Sequence, residues 1–407
     1  MDRLMARREN GRSPSTLDPR ALAMSTDTRD LRLDFFRGLS LLFIFVDHIP
    51  DNLFSYFTLA NFVFNDAAEI FVFISGYTAT IVFGAMLVRS GTLFAGVQVL
   101  RRCWTLYVAH IFLFVLFTAQ VAYTAQKFEN PMFIDEMKVA GFLQEPHVAI
   151  VKALTLQFQP EFMGILPLYI VLLLGFAFVL PLLHRAPVPI LAASLLLYLA
   201  VLLFNLNLPT YPDGRWFHNP VAWQTLFVIG AICAADTGRL GFVRSKVLFR
   251  ACLAFLGISV ATKLAMLIDQ RLDVIPDGFY QGIWLFLDKT NLGPLRLLNF
   301  LALVIITVHL VPRGAAFLGS LAARPVILCG QNSLYIFCLG ILLSYLGHFV
   351  LVEISHAIVV QFAVSAGGVA IMMLAAAFLD WTKDRSRTIQ KKPAPLGGGT
   401  AARQGGE

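Results

Sequence analysis

Apolar residues along this chain do not alternate in twos. They come in long runs broken by short polar segments, and each run is near the ~20 residues that cross about 30 Å of hydrocarbon as a helix. Within a bilayer every backbone amide must be satisfied inside the structure, so a spanning run is either a helix or a strand of a closed barrel. The missing period of two removes the barrel. The runs predict ten spans: Leu33–His48, Ala67–Val88, Cys103–Tyr123, Gly164–Leu183, Val188–Asn205, Val221–Ala235, Val247–Ile268, Leu295–Val311, Val326–Val350 and Ala357–Trp381. The expected fold is all-α, a polytopic membrane bundle of about ten transmembrane helices, with the short sixth run the weakest of the set.

Composition agrees with this reading. Of 407 residues, 57% are hydrophobic and 14% charged, too little charge to cover a soluble protein of this length. The segments flanking the runs orient them. With the N-terminus in the cytoplasm, the inside segments collect Arg29, Arg32, Arg89, Arg101, Arg102, Arg185, Arg239, Arg244, Lys246, Arg250, Arg313 and Arg324, together with a basic tail from Lys383. The outside loops keep only Lys127, Lys138, Lys152, Arg215, Arg271 and Lys289, among acids such as Asp135, Glu136, Asp273 and Asp277. Both termini are therefore expected inside. The net charge of +7 is then this bias showing through, and it calls for no nucleic-acid partner.

Residues 1–30 and 383–407 read as disordered basic cytoplasmic tails around one continuous helical domain, 31–382. Three long connections, Ile49–Asp66, Thr124–Met163 and Asp269–Pro294, share the outside face, which points to the working side of the molecule. An amphipathic stretch in the second, Ile134–Leu143, is expected along the membrane interface. No cleavable signal peptide is expected, because the first apolar run is a full span. Five cysteines lie in or beside spans without disulfide or metal spacing and read as free thiols.

Ionisable groups at membrane depth are costly and mark function. Arg37 and His48 are eleven residues apart, about 16 Å of helix rise, and eleven steps of ~100° return both side chains to one face. Arg37 suits phosphate or carboxylate; His48 suits proton exchange near neutral pH. Interfacial anchors at the two ends of a span account for the pair equally well. Glu69, opening the second span, is placed to orient His48 or stabilise its imidazolium. Asp51 competes for that role if the helix continues one turn, and Asp47 is rotated ~100° away. Ser75-Gly76 lies nearer mid-membrane, where small residues also serve simply to let helices approach.

The Arg37–His48 spacing followed by Glu69-Ile70-Phe71-Val72-Phe73-Ile74-Ser75-Gly76-Tyr77 resembles the opening of the acyltransferase-3 superfamily of membrane acyltransferases. Arg101-Arg102-Cys103-Trp104-Thr105-Leu106-Tyr107 is similar to the entry to that family's third helix, and Gly330-Gln331-Asn332-Ser333-Leu334-Tyr335-Ile336 to its late Gly–Ser–Tyr motif. Ile165-Leu166-Pro167-Leu168-Tyr169 and Phe217-His218-Asn219-Pro220-Val221-Ala222-Trp223-Gln224 are similar to the OpgC branch, associated with succinylation of osmoregulated periplasmic glucans. The resemblance covers residues 30–380.

It implies a multi-pass protein of the bacterial inner membrane. An acyl-CoA, succinyl-CoA in that branch, enters from the cytoplasm, and its acyl group passes to a hydroxyl of a periplasmic glucan. Arg37 then holds donor phosphate or pantetheine, with Ser75, Arg101, Arg102, Asn332, Ser333 and Tyr335 on the donor side, and His48 takes the proton from the attacking hydroxyl. The sequence departs from the wider superfamily after Tyr335, where Phe337-Cys338 stands in place of a His. Lys263 and Arg296 are the cations available to a succinyl carboxylate, and snorkelling anchors explain them nearly as well. His218 lies in an outside turn where an acceptor sugar would sit.

The other histidines carry less. His110 reads as a hydrogen-bonded packing residue. His184 and His309 lie near the inside surface, and His147, His348 and His356 face outside. No His or Cys cluster has metal spacing, so no metal is expected, and the Gly-x-Ser-x-Gly elbow is missing. Two other readings stay open: acetylation of another surface polysaccharide or glycolipid, and transport of a small anion or glycan with Arg37 as the anion site. The absence of paired broken helices counts against transport.

Overall fold

Asp30 ends the first polar segment and caps helix α1 (Leu31–Asp47), its carboxylate accepting from the Arg32 N–H at 3.1 Å. In the computed structural model, described over residues 29–183, 185–235, 239–272 and 277–391, every regular element is a helix, and only two isolated β-bridges occur. The expected tail segments before Arg29 and after Lys391 lie outside the described residues, as do His184 and Asp273.

After α1 come α2 (Ala67–Lys127), α3 (Ile165–Leu183), α4 (Pro187–Phe204), α5 (Pro220–Ala235), α6 (Lys246–Leu272), α7 (Asp277–Leu287), α8 (Pro294–Leu310), α9 (Ala323–Gln331), α10 (Ser333–Glu353) and α11 (Ile358–Lys391). Each of the ten expected runs falls on helix. Among the described residues, six helices are long and apolar enough to cross a membrane: α2, α3, α4, α6, α10 and α11. The runs at α5 and α8 form shorter apolar helices of 16 and 17 residues. The second and third runs belong to one 61-residue helix interrupted at Gly91, whose φ of 83° only glycine adopts without strain. The ninth run is broken at Asn332 into α9 and α10. The last helix continues to Lys391, so residues 383–391 are helical rather than part of a tail.

Helix α1 lies at the centre, packed against α2, α9, α10 and α11. Two glycine crossings set its surroundings. A Cβ on Gly38 of α1 would collide with the Val326 carbonyl of α9, and one on Gly330 of α9 with the Asp34 carbonyl of α1. The same reciprocity joins α2 to α5, Gly76 against the Phe227 carbonyl and Gly230 against that of Phe73. Backbones meet there without intervening side chains, as small residues permit in apolar helices. Helix α6 is largely exposed and leans on α8 through a hydrogen bond between Asn299 and Ser259.

The connection after α2 folds back on the bundle. The stretch expected along the interface is divided between short helices Met132–Glu136 and Ala140–Gln144. Phe133 and Met137, one helical turn apart, are buried. Phe133 packs edge-on against Tyr345 and His348 of α10. His348, expected to face outside, is 2% exposed and paired with Glu136 at 2.7 Å. The five cysteines are free.

Candidate functional site

Arg37 points from α1 toward α2, where Nη2 donates to Thr78 Oγ1 at 2.6 Å and to the Ile74 carbonyl at 3.3 Å. Its Nε and Nη1 make no hydrogen bond, and no carboxylate pairs with it, among the described residues. The guanidinium lines a cavity of about 220 Å³ between α1, α2, α3 and α10. Ser75, Thr78, Arg102, Tyr169 and Ser333 supply the other polar edges, and Phe71, Leu106, Leu166 and Phe337 are among the apolar walls. Four expected donor-side residues, Arg37, Ser75, Arg102 and Ser333, are thus brought to one space, with Tyr169 from the Ile165–Tyr169 stretch.

Three others are not. Arg101 is exposed outside the cavity, because adjacent helix positions diverge by ~100° and Arg102 takes the inward one. Tyr335 is 59% exposed on the far side of α10. Asn332 is buried between α9 and α11: its Nδ2 donates to the Leu328 carbonyl of α9 at 3.0 Å and its Oδ1 accepts from Lys383 of α11 at 2.5 Å. A larger groove of about 590 Å³ opens between α9 and α11, lined by Arg324, Trp381 and Arg385 among others, and includes none of the expected site residues.

His48 caps the opposite end of α1, its N–H bonded to the Ile44 carbonyl at 3.0 Å. The imidazole stacks on Phe162, ring centroids 4.4 Å apart at 25°, and its Nδ1 is buried without a partner. Phe162 holds that position from a left-handed backbone, φ 68°, a conformation that non-glycine residues adopt mainly where the surroundings enforce it. Asp51 does not reach His48. Pro50 disfavours helical backbone at Ile49 and has no N–H to give, so the chain turns away and Asp51 is exposed at φ 56°.

Glu69 is fully buried, but its partners are elsewhere. It accepts from Arg296 Nη2 at 2.5 Å and Nε at 2.7 Å, and from the Asp66 N–H at 3.0 Å. Asp66 in turn caps α2 through the Ala68 N–H at 2.8 Å, completing a capping box. Its carboxylate meets Lys289 at 2.6 Å and Arg296 at 3.3 Å. Burial raises the Asp66 carboxyl, but Lys289 and Arg296 outweigh it and hold the group well below the usual carboxylate range. The charges that bear on His48 are Lys289 and Asp66, not Glu69. Arg296 is therefore committed to two carboxylates rather than open to a ligand. Lys263, half-buried on α6, makes no hydrogen bond or ion pair among the described residues, and Arg296 and Asp66 are the charges acting on it.

His218 is also buried, 9% exposed, with neither ring nitrogen bonded. Its turn is stitched to the segment before α8. Asn219 Nδ2 donates to Asn291 Oδ1 at 2.8 Å, the Asn219 N–H to the Thr290 carbonyl at 3.1 Å, and Trp223 Nε1 to the Lys289 carbonyl at 3.1 Å. These bonds fix Lys289 over the Phe217 ring, 5.3 Å from its centroid. Burial, with Lys289 next, pushes the His218 imidazole down to about 3. His110 is fully buried too, but neither of its nitrogens finds the hydrogen bond expected for a packing residue.

Asp66, Lys289 and Phe162 were not singled out by their sequence context. The Asp66-x-x-Glu69 spacing carried the capping signal, whereas Lys289 and Phe162 carried none. The family model described as OpgC protein matches residues 29–384. A search of curated proteins finds no match.

Proposed function

Because this chain belongs to the OpgC family, we propose that it is a glucan-modifying membrane acyltransferase that moves a succinyl group from an acyl-CoA on the cytoplasmic side to a hydroxyl of a periplasmic glucan. The observation that carries this reading is the division of α1. At one end is a guanidinium in a cavity, bonded through Nη2 alone and paired with no carboxylate among the described residues, and at the other, eleven residues away, a buried imidazole with an unpartnered nitrogen. The donor's thioester arm lies in the cavity with its phosphate or pantetheine amides on Arg37, backed by Arg102, Ser75 and Ser333. Arg37 suits this because its planar donors meet phosphate or carbonyl oxygens with more than one hydrogen bond.

The thioester carbon then sits between the two ends of α1. The acceptor hydroxyl attacks it while His48 takes the hydroxyl proton. The carbon–sulfur bond breaks, and the imidazolium returns the proton to the leaving thiolate, so the base ends neutral. Phe162 holds the ring in place by stacking. The buried ion pairs of Asp66 and Glu69 keep Lys289 and Arg296 from adding net charge beside the base. His218 lies on the acceptor side.

The test uses purified protein in lipid nanodiscs with a panel of acyl-CoA donors and neutral cyclic or linear glucans, read by mass spectrometry, with His48→Ala alongside. A mass gain of one acyl group that disappears in the variant supports the transferase and names the donor. Full activity in folded His48→Ala removes His48 from the chemistry. Transfer only to another polysaccharide or a glycolipid changes the acceptor and keeps the reaction.

A further inference from the structure

His48, at the end of α1, and His218, in the turn before α5, are far apart in sequence, yet one short turn touches both. Phe162 stacks on the His48 ring, and two residues later Gly164 faces His218 so closely that a Cβ there would lie 3.3 Å from Nδ1. That same Cβ would lie 3.3 Å from Gln159 Oε1. A glycine thus lets this turn pack closely between an imidazole nitrogen on one side and an amide oxygen on the other, where a methyl would be crowded. Both nitrogens of His218 are buried and unbonded, a condition native interiors rarely tolerate unless a ligand or water completes it.

We propose that His218 holds the acceptor sugar through the hydroxyl next to the one that reacts, and so decides which position of the glucan is acylated. The proposal rests on the transferase reading above and deepens it. Three features point to a neutral polyol rather than an anion. Lys289 and Arg296 are already matched by Asp66 and Glu69. A neutral imidazole offers one donor and one acceptor, which suits a hydroxyl that can both give and receive a hydrogen bond. The rings around it add no charge: Trp223 is fully buried edge-on at 5.0 Å, and Phe217, edge-on at 4.9 Å and half exposed, offers apolar surface for the C–H face of a sugar. Gln159 Oε1 makes no hydrogen bond among the described residues and accepts from the same hydroxyl set.

The experiment compares wild type, His218→Phe and His218→Gln in nanodiscs with acyl-CoA and glucan. It reads KM for glucan and for donor separately, and the ester position by NMR. His218→Phe is expected to raise the glucan KM by about tenfold, the loss of a hydrogen bond to a buried polar group, with the donor KM unchanged and the ester spread over more than one position. His218→Gln, which keeps a donor and an acceptor, recovers part of the glucan KM. It carries the test alone if His218→Phe does not fold. A fall in turnover with both KM values and the ester position unchanged overturns the proposal, as does an equal rise in both KM values. Calorimetric titration of glucan onto the same proteins separates the two readings. Wild type that binds glucan with dependence on His218 but transfers nothing sinks the transferase and keeps the site. Transfer with binding indifferent to His218 does the reverse.

Discussion

Removing Arg296 tests what Glu69 is for. In Arg296→Ala the fully buried Glu69 loses both guanidinium bonds, at 2.5 and 2.7 Å, and keeps only the Asp66 N–H at 3.0 Å. Asp66 loses a longer contact, 3.3 Å, but retains Lys289 at 2.6 Å. The damage therefore concentrates on one carboxylate left with neither a bonded counter-charge nor solvent. Breaking a buried pair from one side costs about 3–5 kcal/mol, well beyond the ~0.5 kcal/mol of an ordinary surface substitution. Arg296→Lys keeps the charge but not the fork, so a smaller loss is expected. The double variant Glu69→Leu with Arg296→Met removes both charges together and should recover most of the loss, because the isolated carboxylate is gone. Thermal unfolding with a thiol-reactive dye reads this directly, since Cys103, Cys252 and Cys329 are buried free thiols that become reactive on opening. The reasoning fails if Arg296→Ala melts like wild type, or if the double variant is no better than the single one. If the folded double variant still transfers acyl groups, Glu69 belongs to the scaffold and not to the chemistry.

Arg37→Ala should raise the donor KM by about tenfold or more, the loss of charge-assisted bonds worth roughly 1.5–3 kcal/mol, while the glucan KM stays put. An unchanged donor dependence in steady-state assays would assign Arg37 to packing. Gly76→Ala and Gly230→Ala should each destabilise by about 1–3 kcal/mol, because the new methyl meets a carbonyl that cannot rotate away. Gly175→Ala, with nothing within 4 Å, serves as the control in the same melting assay. His218 should make wild type acid-sensitive. Its folded value, near 3, lies below the ordinary 6.5, so above 6.5 it is neutral in both states. As pH falls from there the unfolded chain takes the proton first, and stability drops by about 1.4 kcal/mol per pH unit. Between pH 7 and 5 wild type should lose about 2 kcal/mol more than His218→Phe, and parallel denaturation curves would contradict this.

The helices were legible because an apolar run of the right length has few alternatives, and the runs at α3 and α4 needed little beyond length. What periodicity specifies is which residues share a face; it leaves open which face of another helix they meet. That boundary separates the site residues that came together from those that did not. Arg37 and Ser75 needed only α1 and α2 to lie side by side with their expected faces inward. Glu69 and Arg296 are 227 positions apart, and nothing local marks them as partners. Lys289 reads as an ordinary outside-loop lysine until Asn219 and Trp223 tie its segment against α5. Asp51 was misplaced for a local reason that was available: Pro50 forbids the extra helical turn on which its contact with His48 depended.

The glycines show why structural and functional readings of a membrane motif need not compete. Gly76 and Gly330 admit the simple explanation of close helix approach, and they do make such crossings. Yet each stands close in sequence to a residue of the Arg37 cavity: Ser75 precedes Gly76, and Ser333 follows Gly330 by three positions. Because Gly38 and Gly330 bring α1 and α9 into backbone contact, α10 begins close enough to α1 for Ser333 to reach the space in front of Arg37. Because Gly76 and Gly230 do the same for α2 and α5, the opposite face of α2 is held toward α1 and α3, and Ser75 and Thr78 line that space. A larger residue at any of these crossings would therefore act on the cavity through helix position, without touching it.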